Sequence, residues 1–387
     1  MRNTADPNRR DVLAMATTAA ATAAVLDAPG ALAQAPSCPP PPVLDGQDPL
    51  AQYWQKQVCE LASVDLAKAA PELASAAVKE RHQIYCFLLM KLIVRFWNGN
   101  KHGPLGEYPR RVAQREARDP TNRYRGDMIE NPDDFRVNWD RYLGHNIACL
   151  AVDGNGEIID FDFNHNDFFR SSAEHAESRM VRRLFSLADI RDSWKTGAPL
   201  LGRSRAFSLQ DVTLYTSLES CAQCSGVMSL ARVKQVVFLQ KDFGTYMIGN
   251  IMYNLAVAGN ERLAPLPIPG ADLGVPHFDR LNAAYRSFHD DILDAREKND
   301  SSRSFFVRPD KTAVDYSPSI TSFLCTDVAR DVFGDGARML DKLTVSHGDF
   351  KFPESSTALT NRQCLDEARQ FYAYADLEGY RGSPHKL

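Results

Sequence analysis

The chain has 387 residues, 44% of them hydrophobic and 24% charged, with a formal net charge of −4. This is room for two or three domains, or for one domain with large additions, in a soluble globular protein able to bury a core. A charge this small does not single out a polyanion as the partner of the whole chain.

Residues 1–35 read as a leader, not as fold. Arg9 and Arg10 precede an Ala-rich apolar run that closes on Ala33-Gln34-Ala35, a small-x-small cleavage pattern. The paired arginines make this a secretory signal of the twin-arginine kind and predict a periplasmic or secreted protein. Asp27 and Pro29 interrupt the apolar run, which is too short to span a bilayer, so no membrane span is expected in the mature form. A Pro-rich linker occupies residues 36–49. The eight cysteines are Cys38, Cys59, Cys86, Cys149, Cys221, Cys224, Cys325 and Cys364. In an exported protein, Cys38 with Cys59 or Cys325 with Cys364 would make local staples. Each could equally be a free buried thiol.

Residues 50–140 read as a helical N-terminal region. Apolar residues recur at three- and four-residue spacing from Leu50 to Trp97, and Pro71 divides two helices where proline suits a helix start. The second helix is strongly apolar but carries Lys91 and Arg95, so it reads as a buried bundle helix. A break rich in Gly, Pro and Asn follows. The run from Arg110 to Arg125 is strongly basic. It is either a solvated segment that pairs with acidic residues downstream or a phosphate-contacting edge.

The periodicity changes at His145, where a core over residues 141–260 is expected. "NIACLAV" and "EIIDFDFN" flank Asp153-Gly154-Asn155-Gly156, a hairpin signal. A helix is predicted from Ala173 to Leu187, and an irregular stretch to Gln210. A strand follows from Val212, then a helix from Cys221 and a strand over "KQVVFLQ". The order β-β-α-β-α-β points to an α/β fold with a mixed sheet. Residues 261–387 read as mostly helical. "PLPIPGADLGVP" is expected to be a loop, and Arg303 to Arg308 a strand completing the sheet.

Chemistry gathers at two places. Cys221-Ala222-Gln223-Cys224 is a CxxC at a helix start. It brings two thiols within reach of one ion, and helix amides favour their negative charge. Alone, the pair would equally suit a redox disulfide. His175 supplies a third ligand and leaves the fourth position open, as a catalytic zinc site requires. Glu177, on the first turn of the same helix, is placed to act as a general base and not as a ligand. Taken singly, His175 is a helix-surface histidine and Glu177 a capping glutamate; the CxxC and the strand order together favour the site.

His-x-Glu followed by CxxC resembles the zinc-dependent cytidine/deoxycytidylate deaminase superfamily. "LYTSLESCAQCSGVMSLARVKQVVF" is similar to the "TLEPCxMCxGA" block of tRNA adenosine deaminases and related base deaminases. Asn164 stands where that family places an asparagine that contacts the sugar or base. The resemblance spans about Asn146 to Phe243. It implies a three-layer α-β-α cytidine deaminase-like core with a mixed sheet, flanked by N- and C-terminal helical regions. It also implies one zinc ion per chain on His175, Cys221 and Cys224, with Glu177 catalytic in a hydrolytic deamination. Asn164, Ala176, Phe243 and Tyr246 are the candidate substrate contacts, although core packing is an equal reading of the two aromatics.

The implied substrate is a small amino-substituted heterocycle such as a nucleobase or nucleoside. Nucleotides or single-stranded nucleic acid are the alternative, and a homo-oligomer is compatible with the resemblance. Ser220 replaces the family's proline and is expected to cap the helix. The stretch from His175 to Cys221 is longer than in small deaminases, which implies an inserted loop over or beside the pocket. A zinc-binding protein without catalysis, or a thiol oxidoreductase with a Cys221–Cys224 disulfide, are the rival classes.

Overall fold

The computed structural model describes residues 61–97, 144–169, 171–189, 194, 208–243, 248–257, 264–298, 306–307, 314–315 and 319–378. The leader, the Pro-rich linker, the arginine-rich run, Cys38, Cys59 and Tyr246 lie outside the described residues. Residues 61–387 form one compact unit. No helix among the described residues is long and apolar enough to cross a membrane.

The elements begin with a one-turn helix, α1 (Leu66–Ala69), which Asp65 caps by accepting the Lys68 amide at 3.3 Å. Pro71 opens a 3-10 turn (Pro71–Ala74), as its missing N–H and fixed φ allow. α2 (Ala76–Arg95) is the long apolar helix, buried along most of its length. β1 (Ala148–Val152) and β2 (Ile158–Phe163) form the expected hairpin. Asp153 Oδ1 accepts the amides of Asn155 and Glu157 at 2.8 and 2.9 Å, and Gly156 takes φ +91°, a value that favours glycine. A short helix α3 (Asn166–Phe169) leads to α4 (Ala176–Asp189). Then follow β3 (Thr213–Thr216), α5 (Ala222–Leu230), β4 (Gln235–Phe238), α6 (Ile248–Ala256) and β5 (Leu266–Pro269). The C-terminal part holds α7 (His277–Glu297), β6 (Phe306–Val307), β7 (Val314–Asp315), α8 (Ile320–Phe323), α9 (Asp327–Lys342) and α10 (Asn361–Glu378).

The sheet order is β2-β1-β3-β4-β5. β1 pairs antiparallel with β2 and β3, while β3, β4 and β5 run parallel. Side chains alternate across a strand, and that alternation shows both faces covered. Tyr215 reaches α2, with its hydroxyl 2.7 Å from His82 Nδ1. Its neighbour Thr216 reaches Glu177 on α4. On β2, Phe161 packs on Phe96 and on Phe371 of α10. Asp160 and Asp162 point the other way and pair with Arg183 and Arg179 of α4 at 2.9 and 3.2 Å. The layers are therefore α4 and α5, the mixed sheet, then α2 and α10, with α9 packed against α2.

Three expectations are corrected. "PLPIPG" is not a loop: Leu266–Pro269 is β5. Pro267 and Pro269 argue against a central strand, but an edge strand needs donors on one side only. Phe306 and Val307, the described part of Arg303–Arg308, do not join the five-stranded sheet. Phe306–Val307 pairs instead with Val314–Asp315 in a separate two-stranded ladder, because β5 already holds the place beside β4. α4 starts at Ala176, not Ala173. Ser171 and Glu174 are held in a turn whose Glu174 carbonyl accepts the His165 amide at 2.9 Å. Cys325 and Cys364 are buried and not joined in a disulfide, so the buried thiol and not the staple is the reading that holds. Cys325 lies beside Asn146, while Cys364 lies beside Tyr85 on the α2 side of the sheet.

Candidate metal centre

The site forms where α4 and α5 begin, at the carboxyl ends of the strands. His175 immediately precedes α4, Glu177 is that helix's second residue, and Cys221 is the N-cap of α5 with Cys224 one turn on. α4 is fixed from both sides. Met180, Val181 and Leu184 bury its apolar stripe, while Arg179 bridges Asp162 on β2 and Glu174 just before the helix at 3.2 and 2.8 Å. Burial alone would raise the Glu174 carboxyl, but bonds from Arg179 and Arg182 bring it below its usual value. Glu174 is thus an anchor of the helix start.

Three donor atoms converge. Cys221 Sγ and Cys224 Sγ are 3.7 Å apart, and His175 Nδ1 lies 3.4 and 3.5 Å from them. Zinc–sulfur and zinc–nitrogen bonds of about 2.3 and 2.0 Å at tetrahedral angles put the ligand atoms roughly 3.8 Å (S to S) and 3.5 Å (N to S) apart. The three residues fit a zinc ion, and the sulfurs are too far apart to be a disulfide. They are also the one group of three or more potential metal ligands found among the described residues. The bond from Cys224, followed by that from His175, draws the Cys221 thiol down to about 4. The same bond and burial push Cys224 up. His175 is raised, chiefly by its bond to Cys221. The donor set thus already favours one thiolate, the form a metal takes.

Glu177 is buried but is not one of the three. Its Oε1 accepts from Ser220 Oγ at 3.1 Å and Thr216 Oγ1 at 3.4 Å, and its Oε2 lies 3.4 Å from Cys224 Sγ. Burial raises its carboxyl above the usual value, against the pull of its own backbone amide and of His175. Ser220 does not cap α5. The helix begins one residue later than a Ser220 cap needs, so Cys221 takes the N-cap place without a side-chain bond and Ser220 turns to Glu177.

Asn164 caps α4 from the end of β2: its Oδ1 accepts the Ala176 amide at 2.7 Å. Asn164 also lines the pocket, while the Ala176 side chain is fully buried and its amide is engaged by Asn164. Phe243 is not among the lining residues. Its ring stands 43% exposed and stacks on Tyr285 at 5.6 Å. The pocket measures about 520 Å³ and joins His175, Glu177, Cys221 and Asn164. Its walls also include His145, Glu219, Asp242 and Thr321, which were not singled out in the sequence. Glu219 and Asp242 follow the ends of β3 and β4, where ligands of α/β sheets gather, so their placement was readable in principle. Thr321 comes from α8, and no local signal points to it. Of the long stretch over residues 190–207, Trp194 alone is described; its indole donates to the Ile158 carbonyl at 2.9 Å and packs on Phe371.

Residues 137–240 match the family profile described as the cytidine and deoxycytidylate deaminase zinc-binding region. This stretch is a deaminase zinc-binding region. The deaminase region and the sheet around it form a cytidine deaminase-like α/β fold. Among solved structures, one described as a study of A-to-I editing by tRNA:A34 deaminases shares 16% identity. It covers 35% of this chain and 86% of its own, with a TM-score of 0.25. A guanine deaminase from Nitrosomonas europaea shares 20% identity over 34% of this chain and 70% of its own, with a TM-score of 0.23. No curated protein matches the chain.

Proposed function

We propose that the protein is a zinc-dependent hydrolytic deaminase of a nucleobase, nucleoside or similar amino-substituted heterocycle. One observation carries this reading: a buried carboxylate, Glu177, is held beside three convergent metal donors without being one of them. A purely structural zinc site needs no such group. His175, Cys221 and Cys224 would hold one zinc ion per chain, and the ion would supply the Lewis acidity that makes water a nucleophile near neutral pH. Glu177 takes the two protons of the attacking water in turn and delivers one to the ring nitrogen and one to the departing amine. The carbon–amine bond breaks, a carbonyl replaces it, and ammonia leaves. Ser220 and Thr216 hold Glu177 Oε1, so its other oxygen is the one turned to this traffic. Asn164, lining the pocket, orients the ring.

Replacing Glu177 by Gln removes the proton acceptor but no metal ligand. Ammonia release should fall about a hundredfold to ten-thousandfold, with zinc content unchanged by elemental analysis. Full activity of that variant would discard the assignment. The leader supports export: cell fractionation should find a chain lacking residues 1–35 outside the cytoplasm, and an uncleaved cytoplasmic chain would contradict it. The same metal assay separates this reading from a thiol oxidoreductase, which would carry no zinc.

A further inference from the structure

Glu219 belongs to no role assigned above. It is buried, with 7% of its surface exposed, and lines the pocket one residue before Ser220. A buried carboxylate without partners is costly. Glu219 finds its partners on the main chain: Oε2 accepts the Asp242 amide at 3.1 Å, and the carboxylate also accepts the Gly249 amide. Asp242 follows β4. Gly249 is the second residue of α6, where the first amides lack partners inside the helix and the dipole favours negative charge. The Glu219 amide in turn donates to the Gln240 carbonyl at 2.8 Å. One side chain at the end of β3 thus fastens both Asp242 and Gly249. The fit is close, since a Cβ on Gly249 would lie 2.6 Å from Glu219 Oε1.

We propose that Glu219 is a positioning residue: it fixes the pocket wall that Asp242 contributes by tying it to the start of α6. Its role in binding rests on the deaminase reading, but the clasp itself can be tested without turnover. A glutamine at 219 keeps one accepting oxygen and sets an NH2 group against the second amide, so it releases one end. Gly249→Ala attacks the same contact from the other side and leaves the carboxylate native.

The test uses the mature chain carrying Glu219→Gln, Gly249→Ala, or both. Hydrogen exchange at the amide of residue 242 or 249 should accelerate in each. KM for ammonia release should rise about tenfold with kcat and zinc content nearly unchanged, the pattern of lost binding without lost chemistry. The double variant should be no worse than the worse single one, because both remove one contact. Unchanged exchange, unchanged KM at full zinc content, or independent multiplicative effects would overturn the proposal. If the unmodified chain releases no ammonia from any base, nucleoside or nucleotide, the deaminase reading falls and exchange alone decides the clasp. If Glu219→Gln does not fold, Gly249→Ala decides.

Discussion

At the scale of single residues, burial sets the protonation that the fold requires. His82 is buried on α2 with its Nδ1 2.7 Å from the Tyr215 hydroxyl. Burial, then Lys234 and Arg81, lower it from 6.5 to about 3. The folded protein therefore holds His82 neutral, while the unfolded chain takes up a proton below about pH 6.5. Stability falls as pH drops from there toward 3, by about 2 kcal/mol at pH 5. Denaturant unfolding at pH 7 and pH 5 should show the loss, and His82→Gln should lessen the pH dependence by about that amount. An unaltered dependence would mean that other groups carry it. Residue types and spacing made His175, Glu177, Cys221 and Cys224 legible. Ser220 was not legible in the same way. Whether a serine caps a helix or turns to a carboxylate depends on a one-residue difference in where the helix begins.

At the scale of elements, the hydrophobic period found the hairpin, α4, β3, α5 and β4, because each presents a patterned face. It missed β5, whose prolines suit only a sheet edge, and it could not place β6. The helix–helix contact between α2 and α9 was equally invisible, since it depends on a glycine opposite a methionine. A Cβ on Gly336 would collide with Met90 Sδ, and both residues are buried. Gly336→Ala should cost about 1–3 kcal/mol through overpacking. Gly334, two residues away, meets nothing closer than Arg338 Nη1 at 3.7 Å. Gly334→Ala should instead gain up to about 1 kcal/mol from helix propensity. Opposite shifts in the denaturant midpoint would bear out the pair, and equal shifts would refute the contact.

At the scale of the molecule, the flanking helices pack directly on the five-stranded sheet. α2 covers β1 and β3, α10 covers β2, and Asn146 ties the start of β1 to the Leu324 carbonyl at 3.1 Å. Thr321 reaches the pocket wall from the same C-terminal part. A fragment of residues 141–260 would lack β5, α2 and α10 and leave Phe161, Phe163 and Tyr215 uncovered. Calorimetry should show no cooperative transition for that fragment and one for residues 61–387. A sharp transition in the fragment would show that the core stands alone. Such long-range coverage leaves no mark in local sequence, which is why the flanks had no readable role.

The outer strand β2 carries one more consequence. Glu367 Oε1 takes the Ile158 amide, and Trp194 takes the Ile158 carbonyl. Asp160 and Asp162 each take the amide that follows, on Phe161 and Phe163. At the opposite margin, Pro267 and Pro269 have no amide hydrogen to offer. Both margins of the sheet are poor templates for a stranger's strand. Pairing of two copies of this chain strand to strand along either margin is therefore disfavoured.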